Sequence, residues 1–129
     1  MVRQLESVLL TLWLAKFHRT SLQWKRVRLG VPANPAEAKF FQVALRWADA
    51  IFIEDGFVNI VEAKLRPDLG VFGQLEGYKE LFPITPEFEA YKEWPIRMIL
   101  LSPLMDLGIA QIATKKGIIY DVYKPVGWV

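Results

Sequence analysis

The sequence predicts an α/β fold, a mixed central β-sheet with helices packed against it. Three observations carry this reading. Segments of helical and of strand periodicity alternate along the chain, a pattern that buries a sheet under helices. Asp55-Gly56, a dipeptide favoured in two-residue hairpins, separates two strongly β-forming runs. Both faces of that hairpin are mainly apolar, which suits a strand pair covered on each side.

The elements follow in order. Gln4 to His18 carries Leu5, Val8, Leu9, Leu12, Trp13 and Phe17 at helical spacing. Leu22 to Val31 mixes apolar and basic residues and reads as a strand or an extended loop, before the break at Pro32-Ala33-Asn34-Pro35. Phe40 to Trp47 is rich in aromatic and β-forming residues and predicts a strand. Asp49 to Glu54 and Phe57 to Leu65 form the hairpin. Arg66-Pro67-Asp68 ends it, with Asp68 suited to capping a helix over Leu69 to Phe82, where Val71, Leu75, Tyr78 and Phe82 make an apolar stripe. After a connection over Pro83 to Pro95, Ile96 to Leu101 has the character of a buried strand. Pro103 to Lys116 reads as a helix in spite of Gly108, and Ile118 to Tyr123 as a last strand beyond Gly117.

A chain of 129 residues, 53% of them hydrophobic, suffices for one domain spanning residues 1–129 with one core. The apolar material also suffices for a homodimer or larger homo-oligomer interface, so the oligomeric state stays open. There is no cysteine and a single histidine, His18, which excludes disulfides, thiolate sites, cysteine nucleophiles and multi-histidine zinc sites. Carboxylates, lysines and hydroxyls remain as chemical groups. The apolar run Ser7 to Phe17 is too short to span a bilayer and no small-residue cleavage site follows it, so the expectation is a cytoplasmic protein with no membrane partner. The formal net charge is only +2, but Arg3, Lys16, Arg19, Lys25, Arg26 and Arg28 face Glu6 alone in the first thirty residues. Such asymmetry suits an anionic partner, although a solvated basic face would look the same.

The Asp55-Gly56 turn fixes a register. Glu54 faces Phe57, and stepping back along the ladder pairs Ala50 with Val61 and then Asp49 with Glu62. Two carboxylates thus stand opposite each other, with Cβ atoms roughly 4.5–5.5 Å apart. Lys64, two residues beyond Glu62, points to the same face. Facing acids destabilise a ladder, the more so when half-buried, and call for a cation beside them. Lys64 supplies one positive charge; a divalent ion would supply two, and Mg²⁺ is commonly held by one or two carboxylates with water and phosphate oxygens. On charges alone, a structural Glu62–Lys64 ion pair with Asp49 at the sheet edge serves equally well.

Ala48-Asp49-Ala50-Ile51-Phe52, followed by Ile60-Val61-Glu62-Ala63-Lys64, resembles the PD-(D/E)xK nuclease superfamily, whose fold is restriction-endonuclease-like. Gln74-Leu75-Glu76-Gly77-Tyr78 on the next helix is similar to the Gln-x-x-x-Tyr element of its RecB-like branch. The likeness covers residues 40–82, and Ala48 stands where the superfamily name has proline. The resemblance implies a metal-dependent nuclease that hydrolyses DNA phosphodiester bonds through a Mg²⁺-activated water, with Mn²⁺ as a substitute. Asp49, Glu62 and the Ala63 backbone carbonyl would hold the metal, and Lys64 would position the attacking water or stabilise the developing phosphorane charge. Gln74 would orient Lys64 or a metal-bound water. Tyr78, one turn on, would contact substrate, although by itself this pair also reads as a core tyrosine and a solvated glutamine.

Many members of this fold carry an acid on the first helix, and Glu6 is the candidate here; a capping or surface glutamate is the plain alternative. Lys25, Arg26 and Arg28 are candidates for tracking the DNA backbone, with Trp24 stacking on bases, although strand alternation turns Lys25 away from the two arginines. Lys115-Lys116 reads best as a cationic helix end. Gly73 and Gly77 read as letting their helix approach the sheet or a phosphate backbone, with packing on the sheet the better reading. Two further readings share this fold: a Holliday-junction resolvase, and a non-catalytic DNA-binding or structural subunit of a DNA-repair or phage assembly.

Overall fold

The structure is a computed structural model that describes residues 2–30 and 46–128. Five strands form one sheet in the order β1-β2-β3-β4-β5, with β1 at Leu22–Leu29, β2 at Arg46–Glu54, β3 at Phe57–Ala63, β4 at Ile96–Ser102 and β5 at Ile119–Val122. β1, β2 and β3 pair antiparallel, whereas β3, β4 and β5 pair parallel. Helix α1 spans Val2–Phe17, α2 spans Gly70–Leu81 and α3 spans Leu107–Lys115, with two 3₁₀ segments between α2 and β4.

The connectivity explains the layers. Two successive parallel strand pairs advancing in one direction, each joined by a right-handed crossover, place their helices on the same face. That face packs Val71, Phe72, Leu75 and Tyr78 of α2 and Ile109 and Ala113 of α3 against Ile51, Val58, Ile60, Met98 and Leu100. α1 covers the other face, where Leu9, Leu10, Trp13 and Leu14 meet Ala50, Phe52, Val61, Ala63, Ile99 and Leu101, with Tyr123 and Trp128 packed beside them. Trp13 also anchors α1 to β5, its indole Nε1 donating to Asp121 Oδ2 at 2.9 Å. The expected mixed sheet flanked by helices is the fold observed. Among the described residues, no helix is long and apolar enough to cross a membrane.

The hairpin forms as its turn dictates. Asp55 and Gly56 both have positive φ, +58° and +78°, the backbone of a type I′ turn, and the ladder runs in the expected register from Glu54–Phe57 to Ala50–Val61. Boundaries shift elsewhere for local reasons. The Leu22 segment is a strand that ends before Gly30, where φ is +114°. Residues 40–45 of the strand expected over 40–47 lie outside the described residues, while Arg46 and Trp47 belong to the same strand as Asp49. Asp68 accepts a hydrogen bond from the Gly70 amide, fixing the entry to α2. α3 starts at Leu107 rather than at Pro103, because Asp106 caps it by accepting from the Ile109 amide and Ser102 Oγ takes the Leu104 amide in the loop before it.

Gly73 and Gly77 do not serve close packing: a Cβ at either would meet nothing within 4 Å. The same holds at Gly56, so a substitution there carries only the backbone cost of a left-handed conformation. Gly56→Ala is expected to lower stability by about 1–2 kcal/mol, measured as a shift in the urea midpoint with an unchanged denaturant slope.

Candidate active site

The sheet is interrupted on both sides of Asp49. Between β2 and β3 the ladder stops at Ala50–Val61, one pair short of Asp49–Glu62. Between β1 and β2 it skips the positions of Arg26 and Asp49, although the register is the same before and after. Arg26 there has φ +52°, which is uncommon for a residue with a side chain. The in–out alternation of both strands changes phase at this point. Trp24, Ile51 and Ile53 lie on the α2 side, and so do Val27, Leu29 and Ala48, which uninterrupted alternation would have placed on the α1 side. Asp49 occupies the gap. Its Oδ2 accepts the Ala63 amide at 2.8 Å, replacing a main-chain acceptor and holding the splayed strands together.

The expected trio converges there. The Asp49 and Glu62 carboxyl groups are hydrogen-bonded to each other. Lys64 Nζ lies 3.7 Å from Glu62 Oε2. Burial raises the Asp49 pKa from its ordinary value, opposed by the Ala63 amide. Glu62, 5% exposed, is pushed up to about 8, first by burial and then by the Asp49 charge, with Lys64 pulling the other way. Burial and the facing Asp49 thus make Glu62 hold its proton well above the ordinary glutamate range.

Neighbouring elements complete a cleft around this pair. Lys64 and Leu65, which follow β3, are pinned from two sides: the Lys64 amide donates to the Leu101 carbonyl and the Leu65 amide to Glu6 Oε2 at 3.1 Å. Glu6 thus reaches the site from α1, with its carboxylate already engaged by the backbone. Arg3, Glu6, Ser7 and Leu10, spaced along one face of α1, all line the cleft, and the Arg3 charge acts on Asp49. Gln74 lines the opposite wall from α2, exposed. Among the described residues, no group of three or more Asp, Glu or His side chains is placed to hold a metal ion. The available donors are the Asp49–Glu62 pair and neighbouring backbone.

Three placements differ from expectation. Tyr78 stands behind Glu62 rather than at the surface. It is 2% exposed, and its hydroxyl donates to the Trp47 carbonyl at 2.9 Å and to Glu62 Oε1 at 3.2 Å. Lys25 and Arg26 line the same cleft in spite of being adjacent, because the left-handed residue breaks the alternation. Lys25 Nζ donates to Thr11 Oγ1 on α1. Arg28 lies outside this cleft, on a second groove that runs along β1 past Lys25 and Arg26 and is lined also by Trp24 and Phe88. Lys116, at the end of α3, pairs with Glu76 at 3.2 Å. Arg3 and Trp47 were not anticipated. The first is signalled by its three-residue spacing from Glu6, whereas the second reads in sequence as one more core aromatic.

No family model matches the chain, and no curated protein matches it. Among solved structures, the fold is similar to that of a repair endonuclease from Pyrococcus abyssi, with a TM-score of 0.59 and 17% identity over 92% of this chain and 46% of that one. It is also similar to EndoMS in a complex with dsDNA, with a TM-score of 0.54 and 18% identity over 93% of this chain and 45% of that one. The chain therefore spans a little under half the length of each. At these identities the likeness shows the fold, the restriction-endonuclease-like mixed sheet flanked by helices.

The raised Glu62 pKa has a consequence for stability. Between the ordinary glutamate range and about pH 8 the folded chain holds a proton that the unfolded chain releases, so stability falls as pH rises through that window. Glutamine imitates the protonated acid, donating to Asp49 and accepting from Tyr78. In chelator, Glu62→Gln is expected to match the wild type near pH 5 and to exceed it by about 1–3 kcal/mol near pH 9, several degrees in Tm by calorimetry.

Proposed function

We propose that this chain is a Mg²⁺-dependent nuclease that hydrolyses DNA phosphodiester bonds, with Mn²⁺ able to substitute. The observation that carries this reading is the convergence of Asp49, Glu62 and Lys64 at the bottom of a cleft, on a sheet interrupted to admit them.

The residues present fit a divalent cation. Burial and mutual repulsion disfavour ionising both carboxyls, and a hard cation would offset that cost while satisfying both oxygen donors. Asp49 and Glu62 would hold it, with the Ala63 carbonyl as the backbone contribution. When bound, Mg²⁺ acidifies a water and polarises the phosphoryl oxygens.

The chain's own groups divide the remaining tasks. Tyr78 fixes Glu62 from behind and leaves its other oxygen toward Asp49 and Lys64. The Lys64 ammonium meets the negative charge that grows on the phosphoryl group as the water adds. Gln74, on the facing wall, orients the water or the Lys64 ammonium by hydrogen bonding. Arg3, Lys25 and Arg26 bind the flanking phosphates, and Arg28 continues that line along the β1 groove. Gln74 on the cleft wall with Tyr78 on Glu62, one helical turn apart, supports assignment to the RecB-like branch. Similarity to a repair endonuclease and to EndoMS in complex with dsDNA supports DNA as the substrate and repair as the setting.

The test is cleavage of linear, circular, single-stranded and four-way DNA with Mg²⁺. Asp49→Ala and Lys64→Ala are each expected to lose at least about 10²-fold in rate, and chelator to abolish activity. Activity that survives Asp49→Ala or chelation would refute the mechanism. Binding without cleavage by the wild type on every substrate would assign the chain to a non-catalytic subunit.

Cation binding must displace the Glu62 proton, so it strengthens as pH rises toward about 8 and then levels off. The rise in Tm produced by Mg²⁺ is expected to be larger near pH 8.5 than near pH 6 and absent in Asp49→Ala, as scanning calorimetry would show.

A further inference from the structure

We infer that Trp47 is a stacking platform for an unpaired nucleobase beside the scissile phosphate, so that the preferred substrate class is single-stranded DNA or DNA with an unpaired nucleotide at the cut. The inference rests on the nuclease reading above and names its substrate more narrowly.

Trp47 lies two residues before Asp49 on β2 and lines the same cleft. Its indole is 53% exposed and belongs to neither buried cluster, although burial of a tryptophan is among the largest apolar gains open to a chain of this size. It is nevertheless held in place. The Tyr78 hydroxyl ties its carbonyl, and its backbone pairs with Arg28. The Arg26 guanidinium lies over the ring at 5.7 Å, within cation–π reach, and Arg26 takes a left-handed backbone conformation at the step where β1 and β2 part. Strain at one residue beside an exposed aromatic points to function.

The chemistry around the ring selects the ligand. Arg26, Lys25 and Arg28 surround it with positive charge, which suits a polyanion carrying flat, neutral rings. An aromatic face interleaved with cations along a groove is the arrangement that binds single-stranded nucleic acid, with stacking indifferent to base identity. A base inside an intact duplex keeps its faces covered by its neighbours and cannot reach the indole; an unpaired one can.

The experiment separates base from backbone. In chelator, wild type, Trp47→Ala and Trp47→Leu are titrated by fluorescence anisotropy against oligothymidylate and against an abasic phosphodiester oligomer of the same length. The wild type is expected to bind the thymidine strand about 5- to 100-fold more tightly than the abasic one, and both variants to lose most of that preference while binding the abasic strand unchanged. Trp47→Leu keeps apolar bulk at the position, so it answers the question should Trp47→Ala fail to fold. Variants that retain the wild-type preference for thymidine, or a wild type without one, would overturn the inference. If Asp49→Ala still abolishes cleavage in that case, the nuclease reading stands alone; a wild type that binds neither polymer and cuts no DNA removes both.

Discussion

The structure is organised around a single constraint: a carboxylate placed where a β-ladder should run. Asp49 lies on the middle of three antiparallel strands, yet neither neighbour pairs with it. A strand interior tolerates this only when the freed backbone groups find other partners. The Ala63 amide finds one in the Asp49 side chain itself. On the other side β1 yields, with Arg26 turning left-handed and both strands changing the phase of their side chains. The acid therefore creates the opening that exposes it.

The groups around that opening are placed by the core. Glu62 and the Lys64 segment come from the carboxyl end of β3, a strand paired on both sides and covered on both faces, so their positions follow from the packing of the core. α2 returns over the same strand end and brings Gln74 to the cleft and Tyr78 to Glu62. α1, from the opposite face, brings Glu6 to the Leu65 amide and Arg3 toward Asp49. Three elements from three layers thus meet where the parallel strand ends, the place where open α/β sheets generally bind ligands.

How much of this the sequence discloses depends on the range of the interaction concerned. The hairpin was legible because Asp55-Gly56 specifies its turn locally, and a register counted from the turn places every residue from Glu54 to Ala50 against its observed partner. The approach of Asp49 to Glu62 followed from the same count. The strand interruption did not, since it depends on a side chain competing with the main chain for one amide. Between a substrate-contacting and a core Tyr78 the sequence leaves the choice open, since a four-residue spacing from Gln74 says that the two share a helix face, not which of them meets the sheet. Lys25 and Arg26 were read by simple alternation, and the left-handed backbone that brings both to one cleft has no marker in an arginine. Trp47 carried no signal at all, because an exposed tryptophan and a buried one look alike on a β-strand.

The balance of charge in the cleft gives the arrangement its logic. Arg3, Lys25 and Arg26 outnumber Glu6 on the walls, and Asp49 and Glu62 outnumber Lys64 at the bottom, so the walls are cationic and the floor is acidic. A phosphodiester drawn in by the walls would meet two acids at the floor, and repulsion there would oppose close approach. Protonation of Glu62 relieves that repulsion but withdraws an oxygen donor, and ionising it restores the donor at the cost of a buried like-charge pair. The proposed divalent cation would resolve both difficulties at once, since it would keep the two carboxylates ionised and reverse the sign of the floor. The buried, facing pair of acids is thus the feature on which the proposed affinity for a hard cation, and through it for phosphate, rests.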